Sequence, residues 1–199
     1  MIMNHMIGKD YYSQRNNVID PSQACMPTAF VQAFHCLGKK FPNTEGQPED
    51  SLLDFVRNDP GMKIFYQQEA SEFFKKNYPA NEVHVVMVEG ANRWIGEACV
   101  KSDWATSVRR FKMVLDRKQV IVTTGMFPGL SGGHAICITG YEMNVEDDYI
   151  EHFFVQDPWG NCLTKYADRN GRDVKLTGDM LHQYLRPKDH PYKIAHVVS

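Results

Sequence analysis

HAICITGYEMNVEDDYIEHFFVQDPWG, residues 134–160, contains two apolar runs on either side of an acidic stretch, and its reading decides the fold. His134 to Tyr141 and Tyr149 to Gln156 have the composition of strands, and Glu142 to Asp148 that of a turn. The expectation is an antiparallel hairpin. With Tyr141 and Ile150 as cross-strand partners and no bulge, equal steps away from the loop bring His134 directly opposite Asp157. Residues so placed have Cβ atoms about 4.5–5.5 Å apart, within reach for an imidazole and a carboxylate.

His134 is approached through Ser131-Gly132-Gly133, a flexible segment that lets the chain pass close to another backbone or a ligand. Taken alone, His134 reads equally well as an ordinary strand-end histidine. Asp157, followed by Pro158-Trp159-Gly160, reads alone as an aspartate bonded to turn amides. Their expected pairing is what singles them out. Gln119 to Thr124 (QVIVTT) and Ile194 to Val198 (IAHVV) read as further strands of the same antiparallel sheet.

The earlier part of the chain reads as mostly helical. Pro27 to Leu37 places Phe30, Ala33, Phe34 and Leu37 on one face, with Pro27 at the start and Gly38 just after. A buried helix therefore begins at or just after Cys25. Residues 39–50 are a loop by composition. Helical patterns follow at Ser51 to Arg57, at Lys63 to Lys76 and at Trp104 to Arg117, whereas Val83 to Val88 (VHVVMV) reads as a strand. The expectation is α+β, one domain over 1–199, with a helical part at about 25–117 packed on a sheet part at about 119–199.

With 43% apolar, 12% aromatic and 23% charged residues, the chain is neither disordered nor membrane-spanning in composition. Twenty-two basic and 24 acidic residues leave a net charge of -2, which offers no footprint for nucleic acid or an anionic membrane. Neither is expected as a partner. Five scattered cysteines with no C-x-x-C pair fit a reduced compartment and argue against structural zinc. MIMNHMIGKDYYSQRNN lacks the apolar stretch of a signal peptide, and no 18-residue apolar run follows. The expected location is cytoplasmic at synthesis, with release by lysis or another route if the protein acts outside its cell.

A thiol nucleophile needs a thiolate near neutral pH, a base in reach and donors for an oxyanion. Cys25 at a helix head meets unpaired N–H groups and the positive end of the helix dipole, which lower a thiol pKa. A free cysteine is otherwise most often a small buried residue, and it is the company of His134 and Asp157 that reverses this. Asp157 would fix the tautomer of His134, and the other imidazole nitrogen would pair with Cys25. The oxyanion donors would be the Cys25 backbone N–H and the side-chain amide of Gln14, with Gln23 weaker because two residues leave too little chain to fold back.

Other readings of these residues are blander. A metal site of Cys25, His134 and Asp157 is conceivable by ligand type but leaves the helix head and the glutamine without purpose, so no metal or cofactor is expected. His35 and Cys36 lie about 15 Å or more along the helix from Cys25 and belong to packing. Cys137 reads as a buried strand residue and Cys162 has no assigned role. Trp94 and Trp104 could line a cleft, although large aromatics are more often core. Glu146-Asp147-Asp148 reads as a solvated hairpin tip.

Four segments, YYSQRNN at 11–17, ACMPTA at 24–29, GHAICITGY at 133–141 and VQDPWG at 155–160, together resemble the papain-like peptidase family named for bacteriocin-leader (double-glycine) processing. They look most like its stand-alone, C39-like branch. The joint order of Gln, Cys-x-Pro, Gly-His and Asp-Pro-Trp-Gly is specific, since each piece alone is weak. The resemblance implies a papain-like α+β fold with Gln14, Cys25, His134 and Asp157 as oxyanion glutamine, nucleophile, base and orienting residue. Two departures stand out. Met26 occupies a position where the family usually has glycine, which would narrow the space beside the nucleophile. Gln14 lies eleven residues before Cys25, a longer loop than in papain.

The functional expectation is a cysteine peptidase or amidase acting on a peptide or other amide-bearing substrate, such as a peptide precursor or a cell-wall peptide. An acyl-transferase using the same site and a catalytically silent binding module are the alternatives.

Overall fold

Val120–Gly125 and His134–Asn144 are buried along almost their whole length because the sheet they form is covered on both faces. In the computed structural model, residues 2–6, 10–42, 46–70, 82–144, 146, 149–185 and 193–199 are described. The strands are β1 (Ile2–Met6), β2 (Val100–Thr106), β3 (Val120–Gly125), β4 (His134–Asn144), β5 (Tyr149–Gln156), β6 (Val174–Leu176) and β7 (Lys193–Val198). They form one antiparallel sheet in the order β2-β7-β3-β4-β5-β6, with β1 also paired to β4. Among the described residues the α-helices are α1 (Cys25–Cys36), α2 (Pro48–Asn58), α3 (Pro60–Phe65), α4 (Glu82–Ile95), α5 (Val108–Asp116) and α6 (Gly178–Tyr184).

Strand alternation divides the core. Val120, Val122, Ala135 and Cys137 face a cluster with Phe30, Phe34, Leu52, Met87 and Trp94 of α1, α2 and α4. Ile121, Ile136 and Ile138 face the other way, onto Phe111 and Leu115 of α5 and Leu181 of α6. Side chains of period two explain why strands covered on both sides read as unbroken apolar runs.

Helix α1 is central, with Met26 to Phe34 all buried, so its burial extends around the helix and beyond the single face expected. Gly38, at φ +68°, takes the left-handed position after the helix, and Lys39 N–H donates to Phe34 O at 2.9 Å. At the other end Ala24 supplies no side-chain cap, which leaves first-turn N–H groups available at Cys25.

Three expectations are corrected. Val83–Val88 lies in helix α4, where His84, Met87, Ala91 and Trp94 recur at helical spacing and are buried. Burial of that stripe overrides the strand preference of the valine run. His84 Nδ1 lies 2.9 Å from His196 Nε2 on β7, a buried polar link between α4 and the sheet. Trp104 lies in β2, and the helix expected from it begins only at Val108, after Ser107. The helix expected at Lys63 to Lys76 is α3, extended by a wider π-type turn over Tyr66–Ala70, and its remainder lies outside the described residues.

The hairpin is present in a different register. Met143 pairs with Ile150, Tyr141 with Phe153 and Cys137 with Gln156, because both strands run closer to the tip than expected. Thr139 on β4 and Glu151 on β5 are each an extra residue at an irregularity, one per strand. The two bulges cancel in parity. Continued one step, the pairing sets Ile136 opposite Asp157, so His134 is a diagonal neighbour of Asp157 on the same face. The acidic tip falls largely outside the described residues.

Candidate active site

Cys25 is the first residue of α1, and the start of β4 runs beside it. Burial alone would push its thiol up, but the hydrogen bond and charge of His134, with the backbone N–H groups of Ala135 and Met26, hold it below the ordinary thiol value. The other four cysteines go the opposite way: Cys36, Cys99 and Cys137 are raised chiefly by burial, and Cys162 is pushed up to about 12 by burial and then by Asp157. Cys25 is thus the one cysteine of the five biased towards thiolate.

His134 is 3% exposed. Burial disfavours its charged form, but the hydrogen bonds and charges of Asp157 and Cys25 outweigh it and raise the imidazole to about 9. Nε2 lies 2.6 Å from Asp157 Oδ1. Burying an imidazolium therefore depends on the two negative partners that flank it.

Asp157 is fully buried and is held through its own backbone as well as its side chain. Oδ1 also accepts from Trp159 N–H at 3.1 Å, the main-chain N–H donates to Gly171 O at 2.8 Å, and the main-chain carbonyl accepts from the Tyr11 hydroxyl at 2.8 Å. A Cβ at Gly171 would stand 1.9 Å from that carbonyl. Gly171→Ala is accordingly expected to lower stability by about 3 kcal/mol, read in a urea or thermal melt, because backbone on both sides must move.

Gln14 sits in the short 3₁₀ turn Gln14–Asn16 and is 2% exposed. Nε2 donates to Pro21 O at 2.7 Å, which ties the amide down, while Oε1 is buried with no hydrogen-bond partner among the described residues. The segment around it is stitched to the Asp-Pro-Trp-Gly turn: Gln14 N–H donates to Pro158 O at 3.0 Å, and the Arg15 guanidinium lies 4.1 Å over the Trp159 ring. The long loop before Cys25 thus returns to the site by docking on the turn that ends β5.

Gln14, Gln23, Cys25, His134 and Trp159 line one cleft of about 290 Å³ with the glycine-rich 131–133 approach. All four expected site residues are brought together there or directly behind it. Met26 is absent from this lining. Its side chain is buried and lines an adjoining, largely apolar cavity of about 500 Å³ with Pro27, Leu53 and Met87, which shares Gln23 with the cleft. Trp94 packs in the core against Phe34 and Phe41. His35 lies 2.6 Å from Asp10 at the far end of α1, away from the cleft.

Sequence reasoning did not find the two aromatic rings against His134. Phe127 meets the imidazole edge-on at 5.7 Å and Tyr166 at 6.1 Å. Neither lies in a motif, and their positions come from loop packing. Among the described residues, the donors of Glu142, Glu151 and His152 lie within 4.8 Å of one another, but Glu142 is already paired with Lys175 at 2.7 Å.

A model of the Peptidase_C39 like family matches residues 6–177. The chain belongs to that family. A solved structure from Bacillus anthracis, described as that of a C39-like peptidase, superposes with a TM-score of 0.59 over 99% of this chain and 98% of that one. At 12% identity this likeness shows a shared fold, the α+β papain-like arrangement of the C39-like proteins. The Pseudomonas avirulence protein AvrPphB is a weaker likeness, 9% identical with a TM-score of 0.36 over 89% of this chain and 90% of that one. No curated protein matches the chain. Family and fold are those of cysteine-peptidase-like proteins. Among the described residues of this C39-like chain, no helix is long and apolar enough to cross a membrane.

Proposed function

We propose that the chain is a cysteine peptidase or amidase that cleaves an amide bond through an acyl-thioester on Cys25. The observation that carries this reading is the placement of Cys25 at the head of α1 in one cleft with Gln14 and His134, whose Nε2 is bound in turn to Asp157. The thiolate attacks the carbonyl carbon of a peptide or other amide-bearing substrate, and the oxyanion faces the Cys25 N–H and the side-chain N–H of Gln14. His134 gives its proton to the leaving amine as the C–N bond breaks. Water, deprotonated by the same imidazole, then attacks the thioester, frees the acid and restores the thiol.

The test is mass analysis of a peptide mixture incubated with the protein, with and without an added amine. Hydrolysed products that disappear in Cys25→Ala support the reading. Products carrying the amine would reassign the protein as an acyl-transferase. No product, together with no fast alkylation of Cys25 at pH 6 to 7, would leave a silent module. Gln14→Ala is expected to lower kcat by about 10²-fold with little change in KM, as loss of an oxyanion donor does. An effect on KM alone would move Gln14 out of that role.

A further inference from the structure

Two buried oxygens beside the His134–Asp157 pair lack a well-formed hydrogen bond: Asp157 Oδ2 and the Tyr166 hydroxyl. Tyr166 is 8% exposed. Burial first, and then the negative charge of Asp157, push its phenol far above the ordinary value, so it keeps its proton and is a donor. The carboxylate is an acceptor only. A strong buried donor and a strong buried acceptor close to one another are costly to leave unpaired.

The backbone that delivers Tyr166 is itself unusual. Lys165 at φ +51° and Tyr166 at φ +68° both adopt the left-handed region, where a Cβ is unfavourable. The turn is held by Lys165 N–H to Cys162 O at 3.1 Å and Tyr166 N–H to Asn161 O at 3.0 Å. Two consecutive non-glycine residues in this region are strain maintained by surrounding structure. What the strained turn achieves is contact of the Tyr166 ring with His134, edge-on at 85° between the planes.

Among the described residues, neither Phe127 nor Tyr11 duplicates the hydroxyl. Phe127 offers His134 only an apolar edge, and the Tyr11 hydroxyl is already committed to the main-chain carbonyl of Asp157. We infer that Tyr166 is a positioning residue of this site: its hydroxyl donates to Asp157 Oδ2 and its ring packs on His134, holding the carboxylate's other oxygen on Nε2. The inference rests on the proposed roles of Cys25, His134 and Asp157. With the donor present, the carboxylate is held in one rotamer against Nε2, the imidazolium beside it is favoured, and the Cys25 thiolate is favoured in turn.

The test compares wild type with Tyr166→Phe, which keeps the ring, and Tyr166→Leu, which loses it. Two readouts are needed: the pH midpoint of Cys25 alkylation by iodoacetamide, followed by peptide mass, and the His134 imidazole N–H resonance in protein labelled with ¹⁵N-histidine. Tyr166→Phe is expected to raise the midpoint by about half to one pH unit and to shift the His134 resonance, with Tyr166→Leu larger in both. Wild-type values for both readouts in Tyr166→Phe overturn the inference. If Cys25 of the wild type titrates as an ordinary thiol, the proposed peptidase chemistry fails. The imidazole resonance then decides the positioning role by itself: a shift in Tyr166→Phe upholds it and no shift overturns it.

Discussion

His134→Ala is expected to reduce amide hydrolysis by on the order of 10⁴-fold or more and to move the Cys25 thiol above the ordinary value of about 8.5. The direction of the second effect follows from opposing contributions in the wild type. Burial pushes the thiol up, and the hydrogen bond and charge of His134 are the first forces pulling it down. Removing the imidazole leaves burial dominant, opposed only by the backbone N–H groups of Ala135 and Met26. Iodoacetamide labelling against pH reads this directly, since only the thiolate reacts. Cys162, pushed up to about 12, serves as an internal control that stays unlabelled in both proteins near neutrality. An unchanged midpoint at Cys25 would mean that no thiolate–imidazolium pair exists.

Asp157→Ala is expected to cost about 10³-fold or more in kcat, with Asp157→Asn distinctly milder. Both hydrogen bonds to the side chain, from His134 Nε2 and Trp159 N–H, end on Oδ1. An asparagine carbonyl can accept both, so that variant removes the charge and keeps these two bonds, while its Nδ2 can only donate to the Tyr166 hydroxyl where Oδ2 accepted. Alanine removes both and leaves a buried imidazole with an unpaired nitrogen. The pH dependence separates the two contributions. In the wild type His134 is raised to about 9, so the ion pair persists from the depressed thiol value up to about 9. Without the carboxylate charge, the alkaline limb of the kcat/KM profile retreats towards the ordinary histidine value of about 6.5. A limb that stays near 9 in Asp157→Asn would show that hydrogen bonding, and not charge, holds the proton.

The same shift has a consequence for stability. The folded-state value of His134 lies above its unfolded one, so its contribution is fully present below about 6.5 and is lost as pH rises through about 9. Asp157→Asn should flatten that part of the pH–stability curve.

The helix head at Cys25 was legible because Pro27, an apolar repeat and Gly38 are local signals acting within one element. The hairpin was legible for the same reason, yet its register was not. Thr139 and Glu151 bulge on opposite strands, and nothing within either strand announces it. The expected pairing of His134 with Asp157 survived because the bulges cancel in parity, and the contact is diagonal instead of direct. Helix α4 was misread because a six-residue window of valines favours a strand. The decisive pattern, His84 to Trp94, needs the whole helix length and a sheet to bury it against.

The residue types of the candidate site, their order and the elements that carry them were determined by the sequence alone: a cysteine at a helix start, a histidine opening one strand, an aspartate closing the next. Tertiary structure alone decided what brings Gln14 back across eleven residues, which is docking of its loop on the Asp157–Trp159 turn. It also decided that Met26 points into the apolar cavity and that Tyr166 reaches His134 from a strained turn. Periodicity reports how one element faces a core. Contacts between loops far apart in the chain depend on how the elements pack together, and no local pattern encodes them.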